Sequence, residues 1–183
     1  MADFENELRA LIAELDARLH ELAAYPQYDM FVPVAMPPAD MGQIRAYEQY
    51  LGRALPPSYR AFLRLHNGYR HLAYPGDMLS IEDVMPGGHW HDRLVKWKKT
   101  SARYGATEVI DAIPIANMGQ PNSWAFLDPK RINAKTGEFK VVEWEPEDSD
   151  DYSNIVKFLR ECLETVRYGL AEAAGEAPSD DED

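Results

Sequence analysis

The sequence predicts an α+β fold: an antiparallel β-meander sheet packed with helices, and an extra helix at the N-terminus. Three observations predict it. Apolar residues recur at helical spacing in 3–23, 40–51 and 56–67. They then alternate with a period of two in 123–128 and 139–144, as in half-buried strands. Proline and glycine clusters separate these stretches and leave room for turns.

The first helix spans 3–23. Phe4, Leu8, Leu11, Leu15, Leu19 and Leu22 alternate steps of four and three, and Ile12 widens the stripe. Such a stripe packs into a core or pairs with another helix, and it is too short for a coiled coil. The proline-rich stretch from Pro26 to Pro38 reads as an extended connection. A second helix begins at Asp40, an N-cap residue, and runs to Leu51, with Met41, Ile44, Tyr47, Glu48 and Leu51 on one side and Gly52 as its stop.

The stretch Leu55–Gly68 carries its own start and stop. Pro56 and Pro57 suit the first helical positions, where a missing N–H costs nothing. Tyr59, Phe62, Leu63 and His66 share one face, and Asn67-Gly68 supplies a left-handed closing residue. Tyr59, Phe62 and Leu63 are therefore expected to be buried and Gly68 to have positive φ.

Residues 69–91 are broken by Gly76, Pro86, Gly87 and Gly88, with one short strand expected at 78–81. A third helix, 92–104, turns Leu94, Trp97, Ser101 and Tyr104 inward and Arg93, Lys96, Lys99 and Arg103 outward. The β region follows: a strand at 113–116 whose Pro114 marks an edge or a strand start, a turn at 118–122, a strand at 123–128, a loop at 129–137 and a returning strand at 139–144. A last helix, 152–168, has the stripe Tyr152, Ile155, Val156, Leu159, Cys162, Leu163 and Val166. Three regions result: an N-terminal helical extension (1–27), the α+β domain (28–168) and an acidic tail (169–183) that reads as disorder or a fraying helix.

The net charge is −12, and 143–151 and 169–183 each hold six acids and no base, so the rest is formally neutral. This field opposes nucleic acid and anionic membrane and favours basic partners. Nothing approaches the roughly 20 apolar residues of a membrane helix. The acidic N-terminus is no signal peptide, and the single cysteine, Cys162, forms no internal disulfide; both fit a cytoplasmic protein.

No catalytic or cofactor motif stands out. His89 and His91 form an H-x-H pair, but zinc needs three or four ligands and no spacing supplies the others. Cys162 sits on an apolar stripe, which makes it a buried, unreactive thiol. There is no GxSxG elbow, no phosphate-cradling glycine loop and no isolated carboxylate pair. The basic groups Arg93, Lys96, Lys98, Lys99, Arg103 and Lys130, Arg131, Lys135 sit in an acidic protein and read as solubilising charge.

Tyr47-Glu48, Leu51-Gly52, Leu55-Pro56, Tyr59-Arg60, Phe62-Leu63 and Asn67-Gly68 form a run of words that resembles the SUKH superfamily. The later Ile113-Pro114-Ile115-Ala116, the strand through Trp124 and Phe126 to Asp128, the strand at 139–144 and the helix around Phe158-Leu159 extend the resemblance over residues 28–168. That superfamily includes the Smi/Knr-type fungal cell-wall assembly regulators and many bacterial immunity proteins. The resemblance implies a protein-binding α+β domain with no catalytic residues, no cofactor and no metal. Its leading expectation is an immunity protein that neutralises a cognate toxin, such as a nuclease. The alternatives are a regulatory scaffold and, behind it, a metal-dependent enzyme using the His89/His91 region. The partner is expected to be a protein with a basic surface, and the helix at 3–23 offers a seam for a homo-oligomer. The expected interface comprises Trp90, Asp92, Glu143, Trp144, Glu145, Glu147, Asp148, Asp150, Asp151 and Tyr152.

Overall fold

A computed structural model describes residues 2–145 and 149–175. Six α-helices surround one antiparallel sheet: α1 (Ala2–Ala23), α2 (Met41–Leu51), α3 (Pro57–Leu65), α4 (Ile81–Val84), α5 (His91–Arg103) and α6 (Ile155–Ala173). Seven strands lie in chain order across the sheet: β1 (Val34–Ala35), β2 (Tyr69–Ala73), β3 (Gly76–Met78), β4 (Ile113–Asn117), β5 (Trp124–Ile132), β6 (Phe139–Trp144) and β7 (Ser149–Tyr152). Each strand pairs antiparallel with the next. The expected α+β meander is therefore the observed one, longer by β1, β2 and β7.

Strand register decides what each face carries. Trp124 lies opposite Trp144 and Phe126 opposite Val142, so their side chains share a face. The Trp97 ring of α5 sits 5.5–5.9 Å from Trp124, Phe126 and Trp144, so α5 covers that face. Leu127, Val141 and Tyr152 are successive partners on the other face. There Tyr152 meets Phe158 of α6 at 5.6 Å. Helices α1 and α3 join α6 on that side, and the two layers enclose one hydrophobic core.

Helix α1 belongs to that core. Leu8, Leu15, Leu19 and Leu22 are fully buried, with Leu11 and Ile12 nearly so. Arg160 of α6 reaches Glu7 at 2.5 Å and Arg167 reaches Glu14 at 2.6 Å, on the exposed rim of the same contact. The stripe that offered a seam for a second copy is thus covered within the chain.

Helix α2 begins as its sequence requires. Asp40 accepts from the N–H groups of Gly42 and Gln43, and Gln43 returns a bond to the Asp40 N–H. Helix α3 has no side-chain cap of its own, because Pro56 occupies the N-cap position. Glu138, just before β6, fills that role. Its carboxylate accepts from the Ser58 N–H at 2.9 Å and from the Ser58 hydroxyl at 2.5 Å. Both residues are buried, and the negative charge lies at the positive helix end. Burial pushes the Glu138 carboxyl above its ordinary pKa, while the two Ser58 bonds draw it back.

At its far end α3 closes differently from the expectation. The helix stops at Leu65 rather than 67, with His66 already extended, and Gly68 has the expected positive φ (94°). A Cβ there would stand 2.8 Å from the Ser80 nitrogen, so only glycine passes. Asn67 is buried; its amide oxygen accepts from the Ile81 N–H and its nitrogen donates to Glu82, tying α3 to the start of α4. Tyr59, Phe62 and Leu63 are buried as expected.

Other expectations change. The strand placed at 78–81 is β3, ending at Met78; Ser80 then caps α4. Tyr104 points out at 87% exposure, because it follows the last turn of α5. Pro114 marks a strand start, not an edge: β4 lies between β3 and β5, and its ladder to β3 begins only after Pro114. Strand β5 continues to Ile132 through an irregular stretch, where a loop from 129 was expected. Tyr152 belongs to β7, and α6 starts at Ile155 behind an Asn154 cap. The helix also runs past 168 to Ala173, since Gly169 is buried against Leu22 of α1. Residues 176–183 lie outside the described residues.

Replacing Glu138 by alanine should cost about 2–4 kcal/mol, because the buried Ser58 N–H and the α3 end lose their acceptor. Ser58→Ala should cost about 1 kcal/mol, since the backbone bond survives. Urea unfolding of both variants checks this; equal losses would remove the capping role.

Candidate interaction surface

The expected interface divides into three parts. The run 143–151 reads from the sequence as the end of a strand followed by acids that lead to the last helix. In the structure it includes the end of β6 and the start of β7, paired in register: Trp144 with Ser149, Glu143 with Asp150 and Val142 with Asp151. Glu147 and Asp148 lie outside the described residues. Aspartates have low strand propensity, and β6 supplies the pairing that overrides it.

Alternation along β7 then sends its acids to opposite faces. Asp151 lies on the α5 side, where Lys140 (2.8 Å) and Arg131 (2.5 Å) hold its carboxyl below the usual carboxylate range. Arg131 also pairs with buried Asp128 at 2.8 Å. Asp151 is thus spent within the chain, and so is the β5 cation Arg131. Lys130 is likewise engaged, 3.1 Å from Asp111.

Glu143 and Asp150 lie on the α6 side. Tyr152 donates its hydroxyl to Glu143 at 3.1 Å. Burial pushes the Glu143 carboxyl up, the Tyr152 bond opposes that, and Asp150, Glu145 and Glu161 of α6 push it further up. These four acids form an acidic cluster at one corner of the sheet. Glu145 also accepts from Ser123 at 3.1 Å. Glu161 was missed by the sequence reading, because only the docking of α6 on β6 brings it there.

The tryptophans form the third part. Trp90 is not on the acidic corner; it packs edge-on against Trp124 at 5.5 Å, with the Arg93 guanidinium 5.2 Å above its ring. Trp124 continues to Trp97 and Trp97 to Trp144. Trp144 therefore joins the acidic corner to this aromatic row. Asp92 stands exposed in the first turn of α5, its carboxyl 3.1 Å from His91 Nδ1. Lys98 turns away from the other α5 cations to the Ala112 carbonyl at 2.5 Å.

Another exposed feature escaped the sequence reading. Met30, Val32, Val34 and Met36 are exposed at every second position along and beside edge strand β1. Residues 30–36 are a continuous run without polar residues, so no alternation in the sequence marks which of them face outward.

Among the described residues, no group of three or more His, Cys, Asp or Glu is placed to hold a metal ion. His91 opens α5 and His89 meets Trp90 edge-on, so the H-x-H pair is not on a strand. Cys162 is buried, and burial pushes its thiol well above the ordinary range. Among the described residues, no helix is long and apolar enough to cross a membrane. Residues 38–164 match the profile of the SMI1 / KNR4 family (SUKH-1), from just before α2 into α6. No curated protein matches the chain.

The raised Glu143 pKa sets a pH signature. An acid whose folded pKa lies above its unfolded value adds stability below the unfolded value, near 4.5, and loses that contribution as pH rises through the folded value. Glu143→Gln keeps an acceptor for Tyr152 and removes the charge. It should be more stable than the parent at pH 7, with the gap closing towards pH 4 in urea unfolding. A gap that widens on acidification would contradict this sign.

Proposed function

The chain belongs to the SMI1/KNR4 family (SUKH-1), and from that membership we propose that it is a non-enzymatic binding protein, an immunity protein that seizes and neutralises a toxin protein. The family match over 38–164 carries the reading, because it takes in the α2–α3 pair, β2–β7 and most of α6. The acidic cluster of Glu143, Glu145, Asp150 and Glu161 supports the finer part. A nuclease must bind phosphate, so its active face is basic. A corner of acids beside half-buried Trp144 meets such a face with charge to speed association and an aromatic to hold it. Asp151 contributes less than its neighbours, being already paired. In this reading 28–168 is the binding domain and α1 supports it from behind.

Co-expression with candidate toxin domains tests the proposal. The protein should restore growth and co-purify with the toxin. Glu145→Lys with Asp150→Lys should slow association by about tenfold at low salt, with the difference shrinking as salt rises. Unchanged association would remove the acidic corner from the interface. Turnover of a substrate by the purified protein would overturn the binding reading. A growth or cell-wall phenotype on deletion, with no toxin partner, would favour a regulatory scaffold.

A further inference from the structure

A groove of about 570 Å³ lies between α5 and the end of β6. This is the size of sites that enclose a small ligand. Trp97, Trp144 and Tyr104 supply its aromatic walls, Arg93 and Lys96 its charge, and Thr100 a hydroxyl. Its sign is the reverse of the neighbouring acidic corner.

We propose that this groove receives an acidic peptide segment of the partner protein, a carboxylate seated against Arg93 and Lys96 and an apolar side chain laid on Trp97 and Trp144. The proposal rests on the protein-binding reading above and adds the chemistry of the partner. Three observations carry it. First, neither Arg93 nor Lys96 forms an ion pair among the described residues, while Arg131 and Lys130, at the other end of β5, do. Second, Arg93 stands over Trp90 at 5.2 Å and Trp124 at 5.8 Å. Stacking holds a guanidinium by its face and leaves its N–H fork to grip a carboxylate. Third, the groove is already formed: Trp97 is buried and locked against three rings, so little side-chain freedom is lost on binding. Tryptophan, tyrosine and arginine are also the residue types that dominate binding energy at interfaces.

An extended polyanion fits less well. Nucleic acid would bring many phosphates against a protein of net charge −12, whereas one acidic segment confines its charge to the groove. A partner that offers an acid here and bases to the corner beside it is selected by both signs at once.

The protein reports on its own groove, because all four of its tryptophans belong to this ring-to-ring row. The probe is a blocked peptide alternating glutamate and phenylalanine, compared with its glutamine counterpart and with single-stranded DNA. Tryptophan fluorescence of the full chain should shift saturably with the glutamate peptide. The glutamine peptide should bind at least about tenfold more weakly, and Arg93→Gln with Lys96→Gln should lower glutamate-peptide affinity by a similar factor. Thr100→Glu, which narrows the groove and sets a like charge against the peptide from an exposed helix position, should abolish the shift with the fold intact by circular dichroism. Equal binding of both peptides, no shift at all, or tighter binding of DNA would overturn the proposal. Toxin capture separates the two readings. If Arg93→Gln/Lys96→Gln captures toxin as the parent does, the groove proposal falls and the binding reading stands. If the parent captures none, the binding reading falls by itself.

Discussion

The buried bond between Glu138 and Ser58 spans 80 positions of the chain and joins its two halves. Helix α3 starts on prolines, which set its direction but leave its first N–H groups without a local acceptor. A carboxylate from the start of β6 supplies that acceptor, and the helix can only be capped if the β5–β6 pair has formed. The other contacts of α3 follow the same logic. Glu48 of α2 accepts from the Leu55 N–H and pairs with Arg60, and Asn67 holds the first N–H of α4. One short helix is thus fastened to α2, to α4 and to the sheet by groups buried or half-buried from water, where an unmade bond is costly.

With α3 fixed in this way, the sheet has one face filled by α1, α3 and α6 and the other covered by α5. What remains for a partner lies at the rims: the acidic corner where β6, β7 and α6 meet, the cationic groove beside α5, and the exposed apolar positions along β1. The first two adjoin at Trp144. Opposite charges placed side by side discriminate more sharply than a uniform patch, because a wrong partner meets repulsion as well as missing attraction. Their internal ion pairs sharpen the pattern further. Arg131 and Lys140 cancel Asp151, leaving Asp150 and Glu145 as the outward acids of that edge.

Much of this fold was legible in the sequence where the signal is local. The Asp40 cap, the prolines of α3, the alternation through Trp124 and Phe126 and the stripe of α6 each specify an element from nearby residues. What was not legible depends on distant partners. Strand β7 is Ser-Asp-Asp-Tyr, which becomes a strand only because β6 offers a ladder. Gly169 looked like a helix stop, but it is buried against Leu22 of α1 and the helix continues through it. No local feature of Glu138 says that it caps a helix. The candidate surface divides in the same way. The strand that carries Glu143 and Trp144 was foreseeable; the pairing that brings Tyr152 to Glu143 was not. The neutralisation of Asp151, the addition of Glu161 and the groove under Arg93 emerge only from packing between elements.

Hydrogen exchange of the protein alone and in complex with a captured partner protein tests most directly whether these rims are where function resides. The account predicts slowed exchange in α5 and in β6 and β7, with α1 and α3 unchanged. Slowing confined to α1 and the outer side of α6, with α5 and β7 unaffected, would contradict it.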